Sequence, residues 1–169
     1  SVRFYRENPH RCPYWMCLNE TLIGSEFWLR ENSVRALAWG TDGSEKDGVA
    51  GYGMRQGPDT DRGVEVQARL VGKQTVNRAE AMAVMHSMLI TKPENDLDLY
   101  VDSQVTIDNM GKLWDRTVRK HRLYKDVSNF SIFNTINQLR GKWKEAGYEV
   151  RLHKVRSHQK KYDGVVWCD

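Results

Sequence analysis

Four acidic residues stand at the ends or starts of regular segments of the sequence and could act together on a cation. Asp42 and Asp102 each follow a short apolar run, Glu80 lies early in an Ala- and Met-rich segment, and Asp169 is the last residue. Carboxylates gathered in one place repel one another unless cations bind between them. Hard oxygen ligands of this kind suit Mg²⁺ or Mn²⁺. The residue types therefore predict a divalent metal site if the fold brings them together.

Each of these carboxylates also has a purely structural interpretation. Asp42 belongs to the segment TDGS, whose residue types favour turns. Glu80 follows Asn77 by three residues, as in a capping box. Asp102 could be the N-cap of a following helix, and Asp169 could be a surface residue at a chain end. Convergence of the carboxylates in space would distinguish the metal site from these local roles.

The hydrophobic periodicity predicts the elements that must position these residues. Apolar residues in extended patterns at 34–42, 48–56 and 64–70 predict three strands with short connections, which form an antiparallel meander. An amphipathic helix with period 3.6 is predicted to begin near Asn77 and to end at about residue 89.

The second half of the chain alternates helices with strands. The predicted elements are a strand at 97–101, helices at 102–114 and 127–143, and a strand at 148–155. Such alternation implies parallel pairing through right-handed crossovers. We therefore expect an α/β fold with a five-stranded mixed sheet, three antiparallel strands followed by parallel strands, flanked by helices. Asp42 and Asp102 are then expected to lie side by side, at strand ends that favour ligand sites.

Length and composition fit a single packed domain. The chain has 169 residues, of which 40% are hydrophobic, and six are tryptophan. Residues 1–32 show no clear period and are interpreted as an unassigned N-terminal extension, with the domain at 33–169. No apolar stretch approaches 18 residues and no secretory leader opens the chain, so we expect no membrane association.

The three cysteines, at positions 12, 17 and 168, cannot form a fully paired disulfide framework. This count favours a reducing, intracellular compartment, without distinguishing cytoplasm, nucleus or organelle. His10 with Cys12 and Cys17 could form part of a zinc site, but a second well-spaced ligand pair does not follow.

Basic charge is concentrated late in the chain. Residues 112–161 hold 14 of the 26 Lys and Arg residues but only 4 of the 22 Asp and Glu residues. This segregation favours a polyanionic partner on one face, although a solvated helix face would also account for the basic part.

Four blocks of the sequence resemble the signature blocks of type 1 ribonuclease H, in the same order. They are TDGS at 41–44, GKQTVNRAEAMA at 72–83, YVDSQ at 100–104 and VRSHQKKYDGVVWCD at 155–169. The resemblance extends from Ser33 to the end and implies the RNase H-like fold. It also implies an endonuclease that hydrolyses the RNA strand of RNA/DNA hybrids, leaving 5′-phosphate and 3′-hydroxyl ends.

The resemblance assigns catalytic roles residue by residue. Asp42, Glu80, Asp102 and Asp169 match the ligands of two Mg²⁺ ions, for which Mn²⁺ could substitute, and Asp169 matches the start of a helix that would follow it. Asp42 would bridge both ions, Asp102 would hold the ion that activates water, and Glu80 with Asp169 would complete the other. His158 matches the loop histidine that assists proton transfer and product release.

Substrate contacts are implied in the same way. Positions that match the minor-groove contacts to the RNA strand are Gly43, Ser44, Asn77 and Gln104. Positions that match a pocket for a phosphate of the DNA strand are Thr75 and Asn129. The segment 112–125, with six Lys or Arg residues and Trp114, resembles the basic protrusion that grips the hybrid, although core packing would also explain the tryptophan.

Two other classes of function share these features. A catalytically silent RNase H-like module would bind nucleic acid or a protein without cleavage, but such modules usually lack part of the acidic set. A polynucleotidyl transferase such as an integrase would share the fold and act on other substrates. The domain is expected to be monomeric, and it could be a free-standing enzyme or part of a retroelement polyprotein with reverse transcriptase.

Overall fold

The computed structural model describes residues 36–57, 65–114 and 127–155. These residues form one sheet of five strands together with three helices. The strands are β1 (Ala38–Lys46), β2 (Val49–Gly57), β3 (Glu65–Arg69), β4 (Leu97–Val101) and β5 (Val150–Lys154). The helices are α1 (Val76–Leu89), α2 (Gln104–Trp114) and α3 (Phe130–Glu145).

The strand order across the sheet is β3-β2-β1-β4-β5. β1, β2 and β3 pair antiparallel, whereas β4 pairs parallel with both β1 and β5. The predicted α/β class and mixed sheet are therefore confirmed. The unassigned extension at 1–32, with its candidate zinc ligands His10, Cys12 and Cys17, lies outside the described residues.

The first hairpin turns five residues later than the sequence pattern indicates. β1 continues through Asp42, which pairs with Gly53, as far as Lys46, so the interpretation of Asp42 as a turn residue is wrong. The turn lies at Asp47 and Gly48, whose φ angles are 54° and 77°. Two central residues with positive φ match the right-handed twist of a tight hairpin, and Asp-Gly is a favoured pair for them.

β1 carries two hydrogen-bond ladders of different length. The antiparallel ladder with β2 continues to the turn, but the parallel ladder with β4 ends at the pair Thr41 and Val101. Asp42 and Asp102 are the next residues on the two strands. They therefore lie side by side where the parallel ladder ends, as predicted for neighbouring parallel strands.

Hydroxyl side chains cap two of the helices. Thr75 has an extended backbone, and its side-chain oxygen accepts a hydrogen bond from the N–H of Arg78 at 3.3 Å, so Thr75 rather than Asn77 is the N-cap of α1. Ser103 accepts from the N–H of Thr106 at 3.2 Å, in the position of an N-cap before α2. The capping interpretations of Glu80 and Asp102 are thus wrong, which leaves both carboxylates for other roles.

Helix α1 is buried around most of its circumference. Eleven of its 14 residues are buried, because it packs against β1, β2 and α3. The predicted amphipathic helix is therefore better described as a core helix, which is what apolar residues on all faces produce. Its far end is tied to the sheet by Trp39, whose indole N–H donates to the Thr91 hydroxyl at 2.6 Å.

Buried Arg78 fixes the loop that leads into α1. Its guanidinium donates to the backbone carbonyls of Val71 and Lys73, the latter at 3.2 Å, and packs against Gly72, whose φ is 87°. Gln74 completes this connection by donating to the Leu70 carbonyl at 2.7 Å. Because these bonds join the buried guanidinium to several loop carbonyls, the start of α1 has a defined position relative to the sheet.

In the part of the chain that the structure describes, every helix is too short or too polar to span a membrane.

Two helical glycines should be replaceable by alanine with a gain in stability. A Cβ added at Gly111 in α2 or at Gly141 in α3 meets no atom within 4 Å, so alanine should improve helix propensity without a clash. We expect each substitution to raise the free energy of unfolding by about 0.5–1 kcal/mol, as measured by urea denaturation. Gly147→Ala is the matched control, because its φ of 85° is strained for alanine, and a loss of stability is expected there. A loss at Gly111 or Gly141 would contradict the described helix packing.

Candidate metal centre

Three of the four predicted ligands converge on one point. Asp42 comes from β1, Glu80 from the second turn of α1 and Asp102 from the residue after β4, and each offers a carboxylate oxygen within 4.8 Å of the others. Asp42 and Asp102 are half-buried, whereas Glu80 is only 5% exposed. The convergence argues against independent local roles, since three carboxylates at this spacing repel one another.

Burial makes Glu80 the most perturbed acid of the group. Loss of solvent, followed by the charges of Asp42 and Asp102, raises its pKa from 4.5 to about 8, against the opposing effect of a hydrogen bond from the Gly43 N–H. Its Oε2 atom has no hydrogen-bond partner among the described residues. A buried carboxylate oxygen without a donor lowers the stability of the metal-free protein. Such an oxygen is well suited to bind a divalent cation.

Gly43 lets the strand and the helix approach closely enough for this geometry. A Cβ built on Gly43 would lie 2.7 Å from the backbone nitrogen of Glu80 and 3.1 Å from Ala79. Any side chain there would separate β1 from the first turns of α1. The glycine also donates its N–H to the Glu80 carboxylate, so it joins the two elements at the cluster itself.

Lys154, which the sequence analysis did not single out, also reaches the cluster. Its Nζ lies 3.4 Å from Asp102 Oδ1 and donates to the Asp102 backbone carbonyl. The signal for it was available, because Lys154 ends a strand that is parallel to β4. Strand ends at the same edge of a sheet bring their residues together.

The residues present fit a divalent cation. The donor set consists of carboxylate oxygens alone, which suits Mg²⁺ or Mn²⁺ rather than a softer metal. The unpartnered Glu80 oxygen and the repulsion among three acids give a cation two separate sources of binding free energy. Charge, donor type and spacing thus agree on a hard divalent ion.

A family model for RNase H matches residues 35–169, which include all three carboxylates. The chain belongs to the RNase H family. By that membership it is a ribonuclease H.

Two solved RNase H1 structures align with this RNase H at low identity. RNase H1 from the halophilic archaeon Halobacterium salinarum NRC-1 has a TM-score of 0.49 and 16% identity, over 70% of this chain and 84% of that chain. LC11-RNase H1, in complex with an RNA/DNA hybrid, has a TM-score of 0.49 and 15% identity over the same shares. No curated protein sequence matches significantly. The family assignment therefore rests on the match over residues 35–169.

The predicted RNA-strand contacts of this RNase H lie beside the carboxylates in the chain. Gly43 and Ser44 follow Asp42 in β1. Asn77 is exposed in the first turn of α1, and Gln104 is exposed at the start of α2, where its amide donates to Asp108 at 2.8 Å. Their contacts with a nucleic acid stay a prediction.

The two residues assigned to the DNA-strand phosphate have different surroundings. Thr75 is half-buried and caps α1. Asn129 precedes α3 with a φ of 61° and lines a cavity of about 200 Å³ together with Asn77 and Ser128. Asn109, buried on α2, lines the same cavity and was not identified from the sequence. Its position as a polar residue on the mostly apolar inner face of a helix is the signal that could have found it.

Trp114 is built into the protein rather than projecting from it. Its ring packs against the hydrophobic core, and the Arg140 guanidinium lies 4.1 Å from the ring centroid. The indole nitrogen is buried and has no partner among the described residues. This environment favours the packing interpretation, and the predicted substrate contact stays a prediction. Residues 115–125 of the basic segment, His158 and Asp169 lie outside the described residues.

Replacing Glu80 by glutamine should stabilise the metal-free protein in a pH-dependent way. The folded protein keeps the Glu80 proton to about pH 8, whereas the unfolded chain releases it near pH 4.5. The contribution of protonated Glu80 to the free energy of unfolding is therefore fully present below about pH 4.5 and is lost as the pH rises through about 8. We expect the Tm of Glu80→Gln minus that of the wild type, in EDTA, to grow by a few degrees between pH 5 and pH 9. Glu149→Gln, at an exposed carboxylate, is the control, and an equal pH trend in both variants would contradict the assignment.

Gly43→Ala should damage both the fold and the cluster. The new methyl group must push α1 away from β1, and overpacking of this kind costs about 1–3 kcal/mol. Urea denaturation should show that loss, and calorimetric titration with Mn²⁺ should show weaker binding. In the matched control, Gly53→Ala, the added Cβ would lie 3.6 Å from the Val66 carbonyl oxygen, which is ordinary contact. Equal stability and Mn²⁺ affinity in the two variants would show that the close approach is not required.

Proposed function

We propose that this RNase H hydrolyses the RNA strand of RNA/DNA hybrids at the Asp42, Glu80 and Asp102 cluster, leaving 5′-phosphate and 3′-hydroxyl ends. The observation that carries the proposal is the approach of the three carboxylates within 4.8 Å in a chain of the RNase H family. No described lysine, histidine or hydroxyl is needed as a nucleophile, since this donor set is suited to metal-assisted hydrolysis.

The carboxylates would divide the work according to their positions. Two divalent ions, Mg²⁺ or Mn²⁺, would supply an activated water and stabilise the leaving 3′ oxygen. Asp42, on the strand shared by both ladders, would contact both ions. Asp102 would hold one of them, and buried Glu80, with Asp169, would hold the other. The Glu80 proton, retained to about pH 8 in the absence of metal, must leave when the carboxylate binds a cation, so binding should release a proton.

Selectivity for the hybrid would come from shape and from the RNA 2′-hydroxyl groups. A protein distinguishes RNA from DNA by contacts to that hydroxyl across a wide minor groove. The exposure of Asn77 and Gln104 beside the carboxylates supports their assignment to this strand. Backbone groups of Gly43 and Ser44 would add contacts that do not depend on base identity.

Polar side chains other than the three carboxylates would bind a phosphate of the DNA strand. Asn129 and Asn77 line one small cavity together with residues of α2 and α3, and polar amides suit a phosphate oxygen. The Thr75 hydroxyl accepts the helix N–H but keeps its own proton to donate. The basic segment at 112–125 would add phosphate contacts that weaken with salt, and His158 would assist proton transfer.

Cleavage assays with three duplexes test the proposal. The protein is incubated with labelled RNA/DNA hybrid, double-stranded RNA and double-stranded DNA, each with Mg²⁺, Mn²⁺ or EDTA. We expect metal-dependent cutting of the hybrid's RNA strand alone, and a loss of more than about a hundredfold in Asp42→Asn and Asp102→Asn. Asp96→Asn, which alters a solvent-exposed ion pair with Arg151, should retain activity.

Two results would count against the proposal. Binding of the hybrid without cleavage in every metal condition would favour a silent nucleic-acid-binding module. Cutting of double-stranded DNA by the wild type, lost in Asp42→Asn, would favour a transferase-type or DNA nuclease activity at the same carboxylates.

A further inference from the structure

Lys154 is anchored at the edge of the carboxylate cluster by three interactions. Its Nζ lies 3.4 Å from Asp102 Oδ1, donates to the Asp102 backbone carbonyl, and donates to the Val155 carbonyl at 3.1 Å. The side chain is 46% exposed, whereas that of Asp102 is 21% exposed. The lysine side chain is therefore more open to solvent than the carboxylate that it contacts.

The sheet register places the lysine there. In the parallel ladder of β4 with β5, the last pair is Val101 with Lys154. Asp102 follows directly, so the end of β5 reaches the same edge as the carboxylates. Since β5 supplies none of the three acids, the Lys154 ammonium comes from a different element than the acids do.

The charge of Lys154 acts on more than its ion-pair partner. It opposes the rise in the Glu80 pKa, to which Asp42 and Asp102 both contribute. An ammonium that contacts Asp102 and acts on the charge of Glu80 reduces the repulsion among the acids, as a bound cation would. It would also repel a divalent ion at the same carboxylates.

We propose that the Lys154 ammonium is the counter-ion of the Asp42, Glu80 and Asp102 cluster in the metal-free protein, and that a divalent cation must displace it from Asp102 in order to bind. This inference rests on the proposed function only in requiring that the cluster binds a divalent ion. The half-exposed position and flexible four-carbon stem of the lysine allow its head to move into solvent. Lys154 thus lowers the affinity of the site for metal and stabilises the three acids when no metal is bound.

Metal titrations of the whole chain test this inference without an activity assay. Mn²⁺ and Mg²⁺ affinities are measured by calorimetry for the wild type, Lys154→Gln and Lys154→Met, and the latter keeps much of the apolar stem. Removing one positive charge near a divalent ion should tighten binding by roughly tenfold in both variants. Lys154→Arg should stay close to the wild type because the charge is retained. Lys142→Gln, on the exposed surface of α3, is the charge-matched control and should leave affinity unchanged.

Thermal denaturation distinguishes two roles of Lys154, that of a counter-ion to the acids and that of a structural link between strand ends. In EDTA, both neutral variants at position 154 should have a lower Tm than Lys142→Gln, because the acids lose their cation. With saturating Mg²⁺ that difference should close, since the metal replaces the lysine. A loss of Tm of equal size with and without metal, at unchanged affinity, would overturn the inference and leave Lys154 as a tie between strand ends.

The remaining outcomes distinguish this inference from the proposed function. Metal affinity that depends on Lys154, without cleavage of any hybrid, would support the inference and refute the nuclease activity. Cleavage of hybrid by a protein whose affinity is the same in Lys154→Gln, Lys154→Met and Lys142→Gln would refute the inference alone. Absence of metal binding in the wild type and in all variants would overturn both.

Discussion

The close approach of the Asp42, Glu80 and Asp102 carboxyl groups is the constraint on which the described structure depends, and below about pH 8 the proton that Glu80 keeps relieves part of their repulsion in the metal-free protein. Three acids within 4.8 Å of one another can be held together only if their backbones are fixed by stronger interactions than the repulsion that separates them. Each acid is attached to a rigid element: a central strand, a buried helix and the end of a parallel ladder. The repulsive free energy is thus offset by the packing of α1 and the hydrogen bonds of the sheet, and it becomes available when a cation binds.

Much of the architecture could be predicted from the sequence because local periodicity determines it. The spacing of apolar residues changes from period two to period 3.6 after the third strand, which distinguished the antiparallel meander from the alternating helices and strands that follow. The observed strand order agrees with that division. Parallel pairing of β1 with β4 then required Asp42 and Asp102 to be neighbours. The error at the first hairpin had a local cause, since the Asp-Gly pair at 47–48 is itself a turn signal and carried more weight than the TDGS segment.

Other features depend on distances between elements that are remote in sequence, and no periodic pattern reports them. The need for Gly43 comes from the backbone of α1, and the rise in the Glu80 pKa comes from burial by helix and sheet together. The N-caps Thr75 and Ser103 stand close to the residues first considered for that role, so residue type alone could not choose among them. Asp169 and His158, which the family blocks assign to the same site, lie outside the described residues.

The segment from Gly72 to Glu80 combines several roles within nine residues, of which the last five are helical. Thr75 begins the helix, Arg78 holds the preceding loop, and Glu80 faces the other acids. One residue inserted or deleted between Thr75 and Glu80 would rotate the carboxylate by about 100° around the helix axis, away from the cluster. Across related chains this stretch should therefore keep its length, and insertions should accumulate instead in the hairpin connections of the sheet.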